Sequence, residues 1–299
     1  KITTDTRNIS SGCIFFALKG PNFNGNSFAN EALAKGASYV VVDEKNDCEK
    51  NKTFVVNNVL QTLQDLALFH RKKFKIPFIG ITGTNGKTTT KELIGKVLSS
   101  KYNLLITTGN LNNHIGVPLT ILKLNKENEI AVIEMGASKK GDIKELCEIA
   151  LPTYGIITNI GKAHLEGFGS AQIIKETKLE LYENIINRNG EIIVNKDDKE
   201  LLSKIPEYIK KHTYGLKDAD VCGDIINQKP TIDIQVNFNN SKYQNISTNL
   251  LGSYNLMNIL ASATVGKIFS LDTMNILNSI ESYEPSNNRS QLISIDRNR

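Results

Sequence analysis

Hydrophobic residues along the chain form short apolar runs, separated by stretches in which they recur every three to four positions. Short apolar runs predict buried strands, and the three-to-four spacing predicts amphipathic helices. From about residue 76 the two patterns alternate, which indicates strand–helix–strand crossovers and a mainly parallel sheet. The predicted strands here are 76–81, 102–106, 130–135, 154–157 and 191–195, and the predicted helices are 91–99, 142–150 and 171–186.

Two other parts of the chain have different patterns. Residues 1–75 combine predicted strands at 13–18, 39–42 and 53–56 with helices at 28–35 and 59–71. Three alternating runs between 220 and 250 predict an antiparallel excursion on the sheet edge; helices follow from about 252 and at 272–282. We therefore predict an α/β fold with a small α/β N-terminal domain (1–75) and a central domain (76–285).

A glycine-rich turn joins the strand at 76–81 to the next helix, and residues 80–90 read GITGTNGKTTT. In a phosphate-binding loop (P-loop), backbone N–H groups and the helix N-terminus bind phosphates, the lysine reaches their outer oxygens, and a hydroxyl binds Mg²⁺. The strict pattern has glycine at 81, where this chain has Ile81, so the loop is a variant. An ordinary polar turn is the alternative interpretation.

Polar residues also follow other predicted strands of the same sheet. Because ligands bind beyond the carboxyl ends of parallel strands, Glu134 is predicted where the Mg²⁺ of the loop would lie, and His164 is predicted to be functional. Lys178 belongs to the predicted helix 171–186. A lysine there is either functional or, as is usual at this spacing, a solvated charge on the helix surface. Asn255 and Asn258 lie near a helix start, where they either cap the helix or present amides to a purine.

Composition narrows the function classes. At 299 residues, with 40% hydrophobic and 22% charged residues, the chain is typical of a globular protein of two or three domains. The net charge of +5 is mild, and no basic run predicts nucleic-acid binding. No apolar run approaches the ~18 residues that span a membrane. Four cysteines without a C-x-x-C pair indicate reduced thiols and a cytoplasmic protein, with no zinc site or disulfide framework.

Together, the loop, the E-M-G at 134–136, the H-L-E at 164–166 and the G-x-x-N-x-x-N at 252–258 resemble the Mur ligase family, ATP-dependent enzymes that form amide bonds in peptidoglycan synthesis. Within it, GNLNNHIGVPLT at 109–120 resembles the member that adds D-alanyl-D-alanine to UDP-N-acetylmuramoyl-tripeptide. Three alternatives stay open: the diamino-acid-adding sibling, a nucleotide- and UDP-sugar-binding fragment without ligase activity, and a P-loop kinase or GTPase.

The resemblance also implies an organisation and a set of ligands. It implies a UDP-binding N-terminal domain, a central ATPase domain and a C-terminal acceptor domain, with 286–299 as the hinge and start of the third, which is then absent from the 299 residues. The implied cofactors are ATP and Mg²⁺. The implied partners are UDP-N-acetylmuramoyl-tripeptide and D-alanyl-D-alanine, and the expected state is a monomer.

Residue roles follow from the same resemblance. Lys87 would hold the β- and γ-phosphates, Thr88 and Glu134 a first Mg²⁺, and His164 a second Mg²⁺, with Lys178 as a carbamate ligand. The remaining expected ATP contacts are Gly83, Thr84, Asn85, Gly86, Thr89, Asn255, Asn258 and Arg289. The expected UDP-substrate contacts are Asp5, Thr6, Arg7, Asn24 and Gly25 for the uridine nucleotide and Asn112 and Asn113 for the muramoyl part.

Overall fold

A computed structural model describes residues 1–44, 47–161, 170–239 and 241–285. Two predicted site residues, His164 and Arg289, lie outside the described residues. So does the segment 286–299, which the resemblance assigns to a hinge.

The N-terminal part of the chain forms a small parallel sheet with a short hairpin beside it, and the strand order of the sheet is Ile2–Thr3, Ile14–Phe16, Tyr39–Val42, Thr53–Val55. Its 3₁₀ turns cover Thr6–Asn8, Gly25–Phe28 and Lys50–Lys52. Its strands are β1 (Ile2–Thr3), β2 (Ile14–Phe16), β3 (Lys19–Gly20), β4 (Phe23–Asn24), β5 (Tyr39–Val42) and β6 (Thr53–Val55), and its helices are α1 (Ala29–Ala34) and α2 (Val59–Arg71).

The rest of the described chain builds a second, larger sheet with helices on both faces. Its strands are β7 (Phe78–Thr82), β8 (Leu104–Ile106), β9 (Ile130–Glu134), β10 (Tyr154–Ile157), β11 (Glu191–Asn195), β12 (Lys211–Gly215), β13 (Val221–Gln228), β14 (Thr231–Phe238) and β15 (Gln244–Leu251). Its helices are α3 (Lys87–Leu98), α4 (Gly116–Ile121), α5 (Asp142–Ala150), α6 (Ala171–Asn187), α7 (Lys199–Leu202), α8 (Asn255–Ile268) and α9 (Thr273–Glu281).

The order of the larger sheet is β15-β14-β13-β12-β11-β10-β7-β9-β8. Every pair from β8 to β13 is parallel, and β13, β14 and β15 are antiparallel. The α/β class, the mainly parallel sheet and the antiparallel edge are therefore confirmed. Strand β7, which leads into the glycine-rich loop, lies between β9 and β10, so residues after those strands can reach the loop.

Apolar residues cover both faces of the larger sheet. Helices α3, α8 and α9 contribute to the core on one face, and α4, α5 and α6 contribute to the core on the other. All five residues of β7 and of β9 are buried. A central parallel strand is covered by helices on both sides, which explains why these strands read as continuous apolar runs.

Helix α2 packs against both parts of the chain. On one side Leu63 joins an apolar cluster with Phe16 of the small sheet. On the other side Arg71, which is buried, donates to the carbonyl oxygens of Ala150 (2.7 Å) and Leu151 (3.1 Å) at the end of α5. A cation there complements the helix dipole. The division into domains at residue 75 stays a prediction, because α2 contacts the elements on both sides of it.

Three elements of the larger part were not predicted from the sequence, and the shortest is helix α7, which spans only four residues. Strand β12 is rich in polar residues, and only Tyr214 and Gly215 are buried, so it shows no apolar run. Helix α4 spans six residues and includes Pro118, too short for a helical period to stand out. In addition, α3 begins at Lys87 rather than 91. In the described part of the chain, no helix is long and apolar enough to cross a membrane.

Candidate active site

The glycine-rich loop fills the four residues between β7 and α3. Gly83 has φ +143° and Gly86 has φ +79°, backbone conformations that side chains rarely allow. Space is limiting as well. A Cβ atom on Gly83 would lie 2.0 Å from Thr158 Oγ1, and one on Gly86 would lie 2.5 Å from Asn258 Oδ1. Both glycines are therefore required by the conformation and by the packing of the loop.

The segment after β10 supports the loop from one side. Thr84 N donates to the carbonyl oxygen of Asn159 (2.9 Å), and Asn85 N donates to the Asn159 side chain (3.0 Å). The Thr158 hydroxyl donates to the carbonyl oxygen of Asn85 (2.6 Å), and Gly161 N donates to the Thr84 hydroxyl (2.9 Å). The residues after two parallel strands thus meet at the loop, as expected for ligand sites beyond strand ends.

Asn255 and Asn258 support the loop from the other side. Both are buried, and Asn258 Nδ2 donates to Asn255 Oδ1 (2.9 Å). Asn258 Oδ1 accepts from the Thr90 hydroxyl (3.1 Å), and Asn255 Nδ2 donates to the carbonyl oxygen of Leu251 (2.8 Å). The two amides therefore connect α8 to the beginning of α3. Their contact with adenine stays a prediction.

Lys87, Thr88 and Thr89 lie in the first turn of α3, whose leading N–H groups have no acceptor within the helix. The Lys87 ammonium donates to the carbonyl oxygens of Gly83 (2.7 Å) and Thr84 (2.9 Å), so it lies across the loop. The Thr88 hydroxyl donates to Glu134 Oε1 (3.2 Å). A cation, backbone donors and a hydroxyl–carboxylate pair thus occur together at one helix N-terminus, an arrangement suited to an anion with a bound cation.

Glu134 lies at the end of β9 and is only 1% exposed. Its Oε1 also accepts from Asn112 Nδ2 (2.8 Å), while among the described residues its Oε2 has no hydrogen-bond partner. The ammonium of Lys91 lies 3.7 Å from Oε2, within ion-pair range but beyond a hydrogen bond. An oxygen-only pair of Thr88 and Glu134 fits Mg²⁺, which typically takes one or two protein ligands and completes its shell with phosphates and waters.

No group of three His, Cys, Asp or Glu side chains within the described ranges could hold a metal ion by itself. The loop opens into a cavity of about 380 Å³. Its lining consists of Gly83, Thr84, Lys87, Asn112, Asn113, His114, Gly136, Ala137, Ser138, Asp142, Glu145, Leu146, Ile174 and Lys178.

Lys178 enters this cavity from α6 and is 4% exposed. Burial of its ammonium and, to a smaller extent, the charge of Lys87 lower its pKa to about 8. A larger fraction of the amine is therefore neutral near neutral pH than for a solvated lysine. The sequence alternative, a solvated helix charge, is wrong for this residue.

Two protein-family models match the sequence. The Mur ligase middle domain matches residues 81–266, and the Mur ligase family catalytic domain matches residues 1–83. The first covers more than half of the chain. The chain belongs to the Mur ligase family.

Individual Mur ligases resemble the chain over nearly all of it. The UDP-N-acetylmuramoyl-tripeptide--D-alanyl-D-alanine ligase of Synechocystis is 38% identical over 91% of this chain and 58% of the relative. The ligase of the same name from Bacillus subtilis is 33% identical over 99% of this chain and 64% of the relative. The chain thus spans about three fifths of these relatives.

Solved Mur ligase structures agree in fold. A MurF crystal structure from Acinetobacter baumannii has a TM-score of 0.90 at 30% identity, covering 99% of this chain and 65% of that one. The MurF ligase of Thermotoga maritima in complex with ADP has a TM-score of 0.86 at 30% identity, covering 99% and 69%.

Sequence reasoning on the Mur ligase site missed four cavity residues with polar side chains: His114, Ser138, Asp142 and Glu145. Asp142 Oδ2 accepts from Ser138 N (2.8 Å) and Lys139 N (3.0 Å), and Glu145 accepts from Gln64 Nε2 of α2. Asp142 and Glu145 are on α5, whose position beside the loop could not be read from a helical period. The sequence signal that could have found Ser138 was its position in the segment after β9, a strand that ends at the loop.

The N-terminal candidates are absent from the lining of this cavity. Asp5 caps the 3₁₀ turn Thr6–Asn8 and pairs with Arg7 (2.8 Å) at the surface. Asn24 caps the next 3₁₀ turn, and its side-chain amide donates a hydrogen bond to the Glu44 carboxylate (2.9 Å). A Cβ atom on Gly25 would lie 2.4 Å from the carbonyl oxygen of Leu18. Gly25 therefore has a packing role, and the UDP contacts of this region stay predictions.

Proposed function

We propose that this chain belongs to an ATP-dependent ligase that adds D-alanyl-D-alanine to UDP-N-acetylmuramoyl-tripeptide through an acyl phosphate. The observation that carries the proposal is the hydrogen bond from Asn112 Nδ2 to Glu134 Oε1 (2.8 Å). It joins the stretch 109–120, which distinguishes this family member in sequence, to the carboxylate at the phosphate loop. The names of the relatives and the ADP complex of one of them support the same activity.

The reaction needs activation because a carboxylate does not react with an amine at neutral pH. In the proposed first step a carboxylate oxygen of the substrate attacks the γ-phosphorus of ATP, and ADP leaves. In the second step the amine of D-alanyl-D-alanine attacks the acyl carbon, the C–O bond to phosphate breaks, and the amine loses a proton. Both steps build negative charge on oxygens, so placed cations and N–H donors supply most of the catalysis.

The loop residues bind and orient the triphosphate in this proposal. Backbone N–H groups of 83 and 86–88 and the Lys87 ammonium hold the β- and γ-phosphates, whereas the N–H groups of Thr84 and Asn85 donate to Asn159. Thr88 and Glu134 would hold Mg²⁺, whose charge would neutralise that of the phosphate oxygens. Asn112 fixes the orientation of the Glu134 carboxylate through the hydrogen bond to Oε1, and Oε2 has no hydrogen-bond partner among the described residues.

Lys178 is proposed as a carbamate that would ligate a second Mg²⁺ together with His164. The burial and the lowered pKa of Lys178 support carbamate formation, because that reaction requires the neutral amine. Asn255 and Asn258 are proposed to contact adenine, Arg289 the phosphates, and Asn112 and Asn113 the muramoyl part. Asp5, Thr6, Arg7 and Asn24 are proposed to bind the uridine nucleotide.

The first experiment is nucleotide binding by the 299-residue chain and its Lys87→Ala variant, measured with a fluorescent ATP analogue in Mg²⁺. We expect on the order of a hundredfold weaker binding in K87A, since both loop bonds and the phosphate contact are lost, with binding of the UDP-substrate retained. Lys96→Ala, an exposed lysine of the same helix, is the matched control. Unchanged ATP binding in K87A would remove the loop from the mechanism.

A coupled assay then tests the chemistry. ADP release that depends on both UDP-N-acetylmuramoyl-tripeptide and D-alanyl-D-alanine supports the proposal, whereas dependence on a diamino acid would favour the sibling activity. The turnover assay uses the natural form of the protein.

A further inference from the structure

A second lysine of α3, Lys91, lies beside the predicted metal carboxylate. It follows Lys87 by one helical turn and is 2% exposed. Its ammonium lies 3.7 Å from Glu134 Oε2, the oxygen without a hydrogen-bond partner among the described residues. Burying a lysine is costly unless its charge is compensated, and here the compensating charge is the carboxylate that the site offers to a metal.

The contact geometry of Glu134 is asymmetric. Oε1 is fully engaged by the Thr88 hydroxyl and the Asn112 amide, at 3.2 and 2.8 Å. Oε2 faces Lys91 at a distance that permits electrostatic attraction but no hydrogen bond. The pair is therefore held by charge alone at Oε2, the buried oxygen of Glu134 that has no hydrogen-bond partner among the described residues.

Charge decides what can bind there without nucleotide. The Lys91 ammonium already compensates the charge of Glu134, and a divalent cation bound at that carboxylate would lie close to this ammonium. Both side chains are buried, so the repulsion between the cation and the ammonium is strong. A triphosphate changes this balance, because its oxygens add negative charge and ligate the cation at the same time.

We propose that Lys91 is a positioning residue that keeps Glu134 charge-compensated and excludes a free divalent cation, so that the metal enters only together with the nucleotide. The inference rests on the proposed function, in which Glu134 is a metal ligand. A purely structural role, in which Lys91 only joins α3 to β9, predicts no change in metal affinity when the charge is removed.

The test is Mn²⁺ binding to the nucleotide-free chain, followed by electron paramagnetic resonance. We expect weak binding by the wild type and binding tighter by on the order of tenfold or more in Lys91→Met, which keeps the length of the side chain and removes the charge. Lys96→Met, on the exposed side of the same helix, should bind like the wild type. Adding Glu134→Gln to K91M should abolish the gain.

Equal Mn²⁺ affinity in the wild type and K91M overturns the inference, as does tight Mn²⁺ binding by the nucleotide-free wild type. If K91M does not fold, Lys91→Gln, which keeps a hydrogen-bond donor, takes its place and the same comparison applies. Binding of the fluorescent ATP analogue is measured on the same wild-type sample. Its absence would contradict the proposed function, whereas its presence with unchanged Mn²⁺ affinity would contradict only the role of Lys91.

Discussion

The phosphate-loop cavity and the small N-terminal sheet both contain a charged residue with a lowered pKa, but for opposite reasons. Burial lowers the pKa of Lys178 to about 8 because the cavity destabilises its charged form. The hydrogen bond from Arg7 lowers the pKa of Asp5 to about 2 because it stabilises the charged form at the surface. The surroundings of Lys178 disfavour its charged form. The charged form of Asp5 is favoured, and only by a neighbour two positions away in the sequence.

The same contrast applies to the backbone in the two regions. The loop and the first turn of α3, residues 83–90, are fixed by contacts from β9, from the segment after β10 and from α8, all distant in the sequence. The 3₁₀ turn at Thr6–Asn8 is capped from within, by Asp5. A site assembled from several elements requires a rigid, buried arrangement, whereas a locally formed turn tolerates change. Residue types in the first kind of site are therefore strongly constrained by the fold.

The largest expected effect comes from a pair of glycines, one in each region, with nearly equal φ angles. Gly86 has φ +79° and Gly12 has φ +80°. A Cβ on Gly86 would lie 2.5 Å from Asn258 Oδ1, whereas nothing lies within 4 Å of one on Gly12. Gly12→Ala should cost about 1 kcal/mol of unfolding free energy from backbone strain alone. Gly86→Ala should cost about 3 kcal/mol or more and abolish binding of the ATP analogue.

Urea unfolding and nucleotide titration of the two variants measure these effects. The matched φ values separate strain from packing, because only Gly86→Ala combines both. Equal losses of stability in the two variants, with ATP binding intact in both, would contradict the view that buried contacts fix the loop.

A smaller effect is expected at Lys178, and it depends on pH. In the unfolded chain the pKa of a lysine is near 10.5, and in the fold it is about 8. Between these values the unfolded state binds more protons, so wild-type stability rises with pH relative to a variant without the amine. Lys178→Met should therefore be more stable than the wild type at pH 7, by at most about 3 kcal/mol, and the difference should shrink towards pH 10.

Thermal unfolding of wild type and K178M from pH 7 to pH 10, without metal or bicarbonate, provides the measurement. Lys175→Met on the same helix is the control, because its ammonium pairs with Glu200 and the expected change in stability is small. A difference between wild type and K178M that grows with pH would show that burial does not penalise this charge.

The fold could be predicted where apolar runs and helical periods were long. Strands β5, β10 and β11 and helices α2 and α5 have the predicted bounds, since each carries a full run or several turns of periodic apolar residues. Strand β12 could not be predicted, because its polar residues are held by β11 and β13 rather than by a buried face. Its existence depends on sheet pairing, which is a long-range property.

The same limit applied to the candidate site: positions set by a local sequence pattern could be predicted, and long-range contacts could not. The position of Glu134 beside the loop was predictable because it ends an apolar run at the carboxyl end of a parallel strand, the edge of the sheet where ligands bind. The contact of Asn112 with that carboxylate was not predictable, since it depends on how the chain returns from 109 to α4. Lys91 was overlooked because a lysine on a helix is normally solvated. The structure buries it, because α3 packs against the sheet along that side.

The smallest effect on stability, and the sharpest test of the N-terminal region, is expected at Asp5. Asp5→Asn keeps a side chain that can cap the 3₁₀ turn but removes the ion pair with the exposed Arg7. The pKa of Asp5 is about 2 against an ordinary value of 3.8, so its contribution is present above pH 3.8 and is lost as pH falls through 2. Because Arg7 is solvated, we expect less than about 0.5 kcal/mol.

Such a small cost makes D5N informative about ligand binding. If Asp5 contacts the uridine nucleotide, titration calorimetry at pH 7 should show UDP-substrate affinity lowered on the order of tenfold, with the unfolding free energy nearly unchanged. Glu31→Gln, which removes an exposed ion pair with Lys35 in the same region, should change neither quantity. Equal affinity in wild type, D5N and E31Q would leave Asp5 as a turn cap alone and would place uridine recognition elsewhere on the small sheet.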